Sequence, residues 1–451
     1  MQFTSLAYLG FFAAVFAVHW AVPQKARWAV CLAASAGFYA LLGAPMLAVL
    51  ALCIAVSYLG GLWLQRRRGR RPALALAAAA ALAPLLFFKY FNTLLGAYVP
   101  ESVRAFSLLT PVGISFFTFK AVAYLAEVYK GALPPCRHFG RYALYVSFFP
   151  EVSMGPIQRP GDLMAQIGTP RAFDAGRAVR GAQLMLWGYF EKLVVADNLA
   201  PYVSAGLDAP DLVMGLSVFL ASVLYAVQLY ADFAGYSHIA IGCMQLLGFD
   251  VPENFRAPYR SASISEFWRR WHITLSGWFR DYIYIPLGGN RKGQARQLLN
   301  MFLVWAATGI WHGASWNFIA WGLYYFVLLT IEKTFLLKYL KKGKVWPHIY
   351  TLFFVVLGWG IFTANQPGAP LGLLLQKLFV PQGGISPVYY LRNYGVLMVL
   401  GCVCSSALPH WLWEKISKNT VAKLLVFALL TALCVCYVVA ATNATALYAN
   451  F

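Results

Sequence analysis

The chain has 451 residues, of which 60% are hydrophobic and only 12% are charged. A soluble domain carries about 25% charged residues, so this composition excludes that class. The formal net charge is +20, but the basic residues gather in short loops between apolar runs, at 66–71, 291–296 and 338–344. This is the pattern of cytoplasmic loops under the positive-inside rule, and it explains the charge without nucleic acid as a partner.

Apolar runs long enough to cross a bilayer follow one another along the chain. They lie near 3–22, 29–64, 73–88, 105–126, 212–231, 301–331, 349–364, 394–413 and 424–442. The second run is expected to turn at Gly43-Ala44-Pro45 and so to hold two spans. Only helices and closed barrels satisfy every backbone group in lipid, and uninterrupted runs of this length indicate helices. The sequence predicts an all-α, polytopic integral membrane protein of ten to twelve spans, folded as a single membrane-embedded domain over 1–451.

The first span and the cysteines fit this class. The span has no basic segment before it and is followed by Lys25 and Arg27, the reverse of a signal peptide. We therefore expect a retained helix with its N-terminus outside. Seven of the eight cysteines lie inside or against apolar runs, where small hydrophobic core residues are a better interpretation than disulfides or a metal site.

An aromatic and basic segment begins at Ser263. Ser263 or Ser265 is suited to cap a helix that has Glu266 in its first turn. Apolar side chains then recur every three or four residues: Phe267, Trp271, Leu275, Trp278 and Tyr282. The pattern predicts one amphipathic helix, too charged to span lipid unprotected, that lies at the interface or re-enters the membrane. The turn-forming stretch 286–290 is expected to end it.

His312 lies about twelve residues into the uncharged run Met301–Ile331, where an ionisable side chain is costly and is a functional candidate. Gly309 and Gly313 flank it and leave space for a ligand or another backbone to approach. From depth alone, a neutral histidine bonded between helices is as good an interpretation as a catalytic one. His272, on the aromatic segment, taken alone is better interpreted as an interfacial histidine.

Asp232 is an acid inside another apolar run. Such a carboxylate orients a histidine, binds a cation or pairs with an arginine, and pairing is the commonest case. Two buried histidines with an acid suit a hydrolase, an acyltransferase or a proton-coupled transporter. The residues alone do not decide among these three.

Three stretches resemble the membrane-bound O-acyltransferase family: Gln228–Ser237, Ser263–Arg291 and Gly309–Asn317. Within this family the sequence of these motifs is most similar to that of the membrane subunits that O-acetylate alginate, related polysaccharides and peptidoglycan. Weaker similarity extends the resemblance over about 1–365. The chain departs from the alginate subunits near Asp232, because it has His238 where they have an acid.

The resemblance implies about eleven transmembrane helices, with re-entrant or interfacial helices around a central tunnel. It implies that His312 is the buried catalytic histidine and that His272 is a second family histidine nearer the cytoplasmic mouth. The implied reaction takes an acyl group, which the resemblance to O-acetylating subunits indicates is acetyl, from acetyl-CoA or another cytosolic thioester, without a metal. The implied location is the cytoplasmic membrane of a bacterium, which the chain crosses many times.

In the implied mechanism, His312 is the general base for an acceptor hydroxyl. Four arginines are expected to meet the phosphates of coenzyme A or of a carrier: Arg269, Arg270, Arg280 and Arg291. Four other residues are expected to bind or orient the substrate: Asp232, Trp311, Trp316 and Asn317.

Because the acceptor polysaccharide lies outside, an extracytoplasmic hydrolase-like partner is expected to take the acyl group onward. Two alternatives stay open. One is D-alanyl transfer from a carrier protein in a teichoic-acid pathway. The other is a proton-coupled transporter that uses His272, His312 and Asp232 as a relay.

Overall fold

The computed structural model of the protein describes residues 2–66, 71–95, 98, 100–103, 110–169, 171–207, 215–313, 315–363 and 384–440. Within these ranges the regular structure is helical and no β-strand occurs, which confirms the predicted all-α class. Most of the basic loop at 66–71 lies outside the described residues, as do the ends of several predicted spans, at 105–109, 212–214, 364 and 441–442.

The α-helices are, in chain order, α1 Leu6–Ala21, α2 Arg27–Ala40, α3 Ala44–Gln65, α4 Arg71–Leu95, α5 Ile114–Lys130, α6 Phe139–Ser147, α7 Pro160–Gly168, α8 Ala175–Tyr189, α9 Asp197–Leu207, α10 Gly215–Leu246, α11 Ile264–Arg270, α12 Ile273–Phe279, α13 Gln294–His312, α14 Trp316–Ile331, α15 Leu337–Leu340, α16 Trp346–Thr363, α17 Pro387–Cys404, α18 Leu408–Ile416 and α19 Thr420–Ala440. Three wider π-helical segments continue α8, α12 and α14, at Phe190–Ala196, Arg280–Tyr284 and Glu332–Leu336.

The described residues fall into two compact units. The first unit is Met1–Met185 with Tyr236–Glu253, and the second is Leu186–Gly235 with Asn254–Phe451. Helix α10 contributes residues to both units. That 1–451 acts as a single acyltransferase domain stays a prediction.

Six helical segments are long and apolar enough to cross a bilayer among the residues that the structure describes. They are Ala44–Gln65, Arg71–Phe91, Gly215–Leu246, Trp316–Leu340, Trp346–Thr363 and Thr420–Val439. Helix α1 is apolar but has only 16 residues, fewer than a perpendicular span needs. The polytopic class is confirmed, and the number eleven stays a prediction.

Two of the predicted apolar runs are interrupted in the structure. The turn within 29–64 is confirmed, because α2 ends at Ala40 and α3 begins after Gly43, whose φ of +128° suits glycine. The run at 394–413 is not one straight helix, since α17 and α18 meet at an angle of 78° and form a broken span or a re-entrant loop. The Ser406 hydroxyl donates to the carbonyl of Val403 and accepts from the N–H of Leu408, so it satisfies backbone groups on both sides of the bend.

The uncharged run Met301–Ile331 is also divided, because α13 ends at His312 and α14 begins at Trp316. These two helices pack main chain against main chain at two glycines. A Cβ on Gly309 would lie 2.6 Å from the carbonyl oxygen of Phe318, and one on Gly322 would lie 2.5 Å from that of Trp305. Small residues permit this approach between membrane helices. The space beside Gly309 is therefore taken by another backbone.

Substitution of Gly322 by alanine is expected to destabilise the protein. The added methyl group must push α14 away from the Trp305 carbonyl, and overpacking of this kind costs about 1–3 kcal/mol. Thermal unfolding of the purified protein in detergent measures the effect. The matched control is Gly360→Ala on α16, where an added Cβ meets nothing within 4 Å. Equal melting temperatures for the two variants would contradict the close packing.

Candidate active site

The segment that carries His272 is not the single amphipathic helix predicted from its periodicity. Helix α11 ends at Arg270, α12 begins after His272, and His272 itself adopts a left-handed conformation with φ of +43°. This conformation costs a residue with a side chain about 1–2 kcal/mol. Backbone pairing braces the turn: the N–H of Ile273 donates to the carbonyl of Asn254 at 2.9 Å, and that of Arg256 donates to Arg270 at 3.0 Å.

Two side chains hold the start of α11. Ser263 caps the helix as predicted, since its hydroxyl accepts from the N–H of Glu266 at 3.0 Å. The buried carboxylate of Glu332 accepts from the backbone N–H groups of Ile264 and Ser265, at 2.6 and 2.8 Å, and from the Ser265 hydroxyl. Glu332 is not among the residues that the sequence predicts to be functional. Its position as an acid directly after a long apolar run was the available signal.

The hydrogen bonds around His272 define its tautomer. The Oδ1 of Asn254 lies 3.4 Å from the backbone N–H of Thr274, which can only donate, so this atom of Asn254 is the acceptor oxygen. The Nδ1 of His272 lies 3.0 Å from the same oxygen and must therefore carry a hydrogen. In the neutral ring the lone pair is then on Nε2, the nitrogen that is able to take up a proton.

His312 is the last residue of α13 and is only 6% exposed. Aromatic rings surround its imidazole. The rings of Trp321 and Phe362 meet it edge to face, with centroids 5.1 and 5.0 Å away, and Trp311 lies at 4.6 Å. This surrounding keeps the histidine out of bulk water.

Both histidines lie in the wall of one cavity of about 330 Å³ within the second unit. Arg269 and Arg280 line the same cavity and are exposed, whereas His272 is 2% exposed. Aromatic rings form much of the remaining wall: Trp268, Trp271, Trp305, Trp321, Trp359 and Phe362. The cavity thus has an exposed cationic end and a buried end that is rich in aromatic rings.

The other two predicted arginines lie outside the cavity lining. Arg270 binds Glu266 at 2.8 Å across one helical turn. Burial alone would raise the pKa of the Glu266 carboxyl, but hydrogen bonds from Ala262 and Arg270 lower it below its usual value, so the pair is ionised. Arg291 is exposed in the turn region after the second π-helical segment. Their role in binding a donor stays a prediction.

Asp232 is buried and forms an ion pair with Lys192 of the first π-helical segment. Lys192 also binds Asp197, with 2.6 Å between Nζ and Oδ1. Pairing of Asp232 with a cation agrees with the commonest expectation for such an acid, although the partner is a lysine and not an arginine. Asp232 is not among the residues that line the cavity, and its role in orienting a substrate stays a prediction.

The remaining three predicted residues surround the link between α13 and α14. Trp311 is buried against His312 but does not itself line the cavity. Trp316 is 82% exposed, and the side-chain amide of Asn317 donates to the carbonyl of Phe362 at 2.7 Å. Asn317 therefore ties α14 to α16, while roles of these residues toward a substrate stay predictions.

Fold and cavity define a polytopic membrane protein with two histidines enclosed beside a cationic opening. The sequence model of the membrane-bound O-acyltransferase family, MBOAT, matches residues 132–367. The chain is 34% identical to the probable alginate O-acetylase AlgI of Azotobacter vinelandii, over 81% of this chain and 76% of that protein. It is 33% identical to the peptidoglycan O-acetyltransferase of Helicobacter pylori, over 78% and 73%.

A third relative is the teichoic acid D-alanyltransferase of Bacillus subtilis, 30% identical over 64% of this chain and 77% of that protein. The extent of these matches shows that the chain belongs to the membrane-bound O-acyltransferase family. It is accordingly an enzyme, an O-acyltransferase.

Replacement of Glu332 by glutamine is expected to loosen the start of α11. Both carboxylate oxygens accept hydrogen bonds, whereas an amide has one acceptor oxygen and would turn its NH₂ group toward a donor. An unsatisfied buried group costs about 1–3 kcal/mol, so the melting temperature of the purified protein should fall. Glu414→Gln, at an exposed position on α18, is the control. A Glu332 variant as stable as this control would contradict the role of the Glu332 carboxylate at the start of α11.

Proposed function

We propose that the protein takes an acetyl group from a cytosolic thioester and passes it across the membrane for O-acetylation of an extracytoplasmic polysaccharide. The observation that carries this proposal is the cavity itself, in which His272 and His312 lie inward of Arg269 and Arg280. Two of the relatives are named as O-acetylating enzymes of alginate and of peptidoglycan, which supports acetyl as the group transferred.

His312 is the proposed general base. The acceptor hydroxyl attacks the thioester carbonyl while His312 takes its proton, which gives a tetrahedral intermediate. Collapse of the intermediate breaks the C–S bond, and the leaving thiolate receives the proton that His312 took from the acceptor. The aromatic rings around His312 limit the access of water, which would otherwise compete with the acceptor and hydrolyse the thioester.

His272 is the proposed second histidine of the reaction. Because its Nδ1–H is given to Asn254, the ring presents Nε2 as its proton-accepting atom. The bonds of Asn254 to Thr274 fix the acceptor in place, so the tautomer of His272 is set before a substrate binds. His272 thus offers Nε2 to a thioester bound in the buried part of the cavity.

Four further proposals concern the surroundings of the enzyme. Arg269, Arg270, Arg280 and Arg291 receive the phosphates of acetyl-CoA or of an acylated carrier on the cytosolic side, in line with the basic loops of the sequence. An extracytoplasmic hydrolase-like acetyltransferase takes the acyl group onward to the polymer. The chain lies in the bacterial cytoplasmic membrane. Its residues 1–451 work as one acyltransferase domain.

Removal of the His312 imidazole is expected to lower acyl transfer about 10²- to 10⁴-fold, because general base catalysis contributes that much. His312→Ala would be expressed in place of the natural chain, and the O-linked acetate of the cell-wall or extracellular polymer would be measured. His410→Ala, at an exposed site on α18, is the matched control. Full O-acetylation with His312→Ala would overturn the mechanism.

D-alanyl transfer is the second candidate, favoured by the similarity to the Bacillus subtilis enzyme. The relatives named above are all acyl-transferring enzymes by name, which favours either form of acyl transfer over proton-coupled transport. Purified protein would be given labelled acetyl-CoA and, separately, a D-alanyl carrier protein. We expect turnover of acetyl-CoA. Turnover of the D-alanyl carrier alone would replace the acetyl assignment.

A further inference from the structure

The cavity has a third cationic side chain, besides Arg269 and Arg280. Lys333 lines it, in the third π-helical segment, directly after the buried Glu332. Lys333 is exposed, like Arg269 and Arg280, whereas both histidines are buried. It therefore belongs to the open end of the cavity. Segments of π-helix occur frequently at functional sites, because the wider turn changes the direction of the side chains that follow.

The geometry of α13 shows how far this end is from His312. Met301, Val304, Thr308 and His312 all line the cavity and share one face of the helix. Eleven residues separate the first from the last, which corresponds to about 16 Å at the helical rise of 1.5 Å per residue. The cavity therefore extends along α13 for most of its length.

Helix α14 runs antiparallel to α13 and places Lys333 at the far end. Trp321 on α14 meets the ring of His312, and Lys333 comes twelve residues after Trp321. The Nζ of Lys333 lies 5.9 Å from the ring centre of Tyr284. The hydroxyl of Tyr284 accepts from the side-chain amide of Gln297, in the first turn of α13, at 3.3 Å. Lys333 and His312 thus mark opposite ends of one elongated space.

The neighbours of Lys333 leave its charge available to a ligand. Glu332, beside it in the chain, is committed to the backbone N–H groups at the start of α11. Among the residues that the structure describes, no carboxylate lies within ion-pair distance of Lys333, whereas Arg280 is paired with Asp281 at 2.8 Å. A lysine ammonium held in this way is a compact point charge of the kind that binds phosphate.

We propose that Lys333 binds the phosphate at the end of the donor's phosphopantetheine arm, while the thioester at the other end of the arm reaches the two histidines. This inference rests on the proposed function, since it assumes a thioester donor. The pantetheine chain is extended, and the cavity likewise runs about 16 Å along α13. Coenzyme A and acylated carrier proteins share this arm and its phosphate, so the same lysine serves either source.

The test pairs a change in the enzyme with a change in the donor. S-acetylpantetheine carries the thioester and the arm but no phosphate. For Lys333→Gln, KM for acetyl-CoA should rise about tenfold or more, since a hydrogen bond to a charged group is worth at least about 1.5 kcal/mol. KM for S-acetylpantetheine and kcat for both donors should stay within about twofold, the spread expected of a surface substitution. Lys333→Arg keeps the charge and should retain most of the affinity for acetyl-CoA.

The matched control is Lys338→Gln, which removes an exposed lysine of α15 that does not line the cavity, and all donor constants should stay as in the natural enzyme. An acetylated carrier protein forms the third donor. An increase in KM confined to either phosphate-bearing donor supports the site and identifies its source. If Lys333→Gln raised KM equally for all three donors, or left KM unchanged for all of them, the proposed phosphate site would be overturned. If the natural enzyme turns over none of the three thioesters, the proposed function itself fails, and the phosphate site with it.

Discussion

A backbone N–H group that enters the apolar interior of a membrane protein must find an acceptor there, because no water is available to replace one. The segment that carries His272 meets this demand with two residues from elsewhere in the second unit. Glu332 accepts from the first N–H groups of α11, and Asn254 pairs with the turn that separates α11 from α12. The position of His272, and the lone pair on its Nε2, depend on this bonding.

The same bonding separates the charges of the site by depth. The carboxylate of Glu332 accepts hydrogen bonds from the buried start of α11. Lys333, the next residue, lies at the opening of the cavity. Further inside, the wall is aromatic and His312 is enclosed by rings. A cationic entrance followed by an apolar interior suits a ligand with a charged end and a small reactive end. Acyl thioesters of phosphopantetheine have this form.

The class of the protein and the positions of its long apolar helices could be predicted from the sequence, because run length and the turn at Gly43 are local signals. Helices α6 to α9 could not, because no long apolar run marks them. His312 could be found since an ionisable group in an uncharged run is rare. The break at His272 could not, because its cause is Asn254, eighteen residues earlier, and periodicity continues through it. The partner of Asp232 could not be predicted either, since Lys192 lies forty residues away in the chain. Contacts of this length are decided by packing and not by local pattern.

The ion pair between Lys192 and Asp232 also affects how α10 is accommodated in the membrane. Asp232 lies near the middle of α10, and an unpaired aspartate at the centre of a lone membrane helix costs about 2.5–3.5 kcal/mol. In the folded protein the buried ammonium of Lys192 offsets this cost. The acid within α10 is thus tolerated as one half of a pair, and the other half lies on a segment that precedes α10 in the chain.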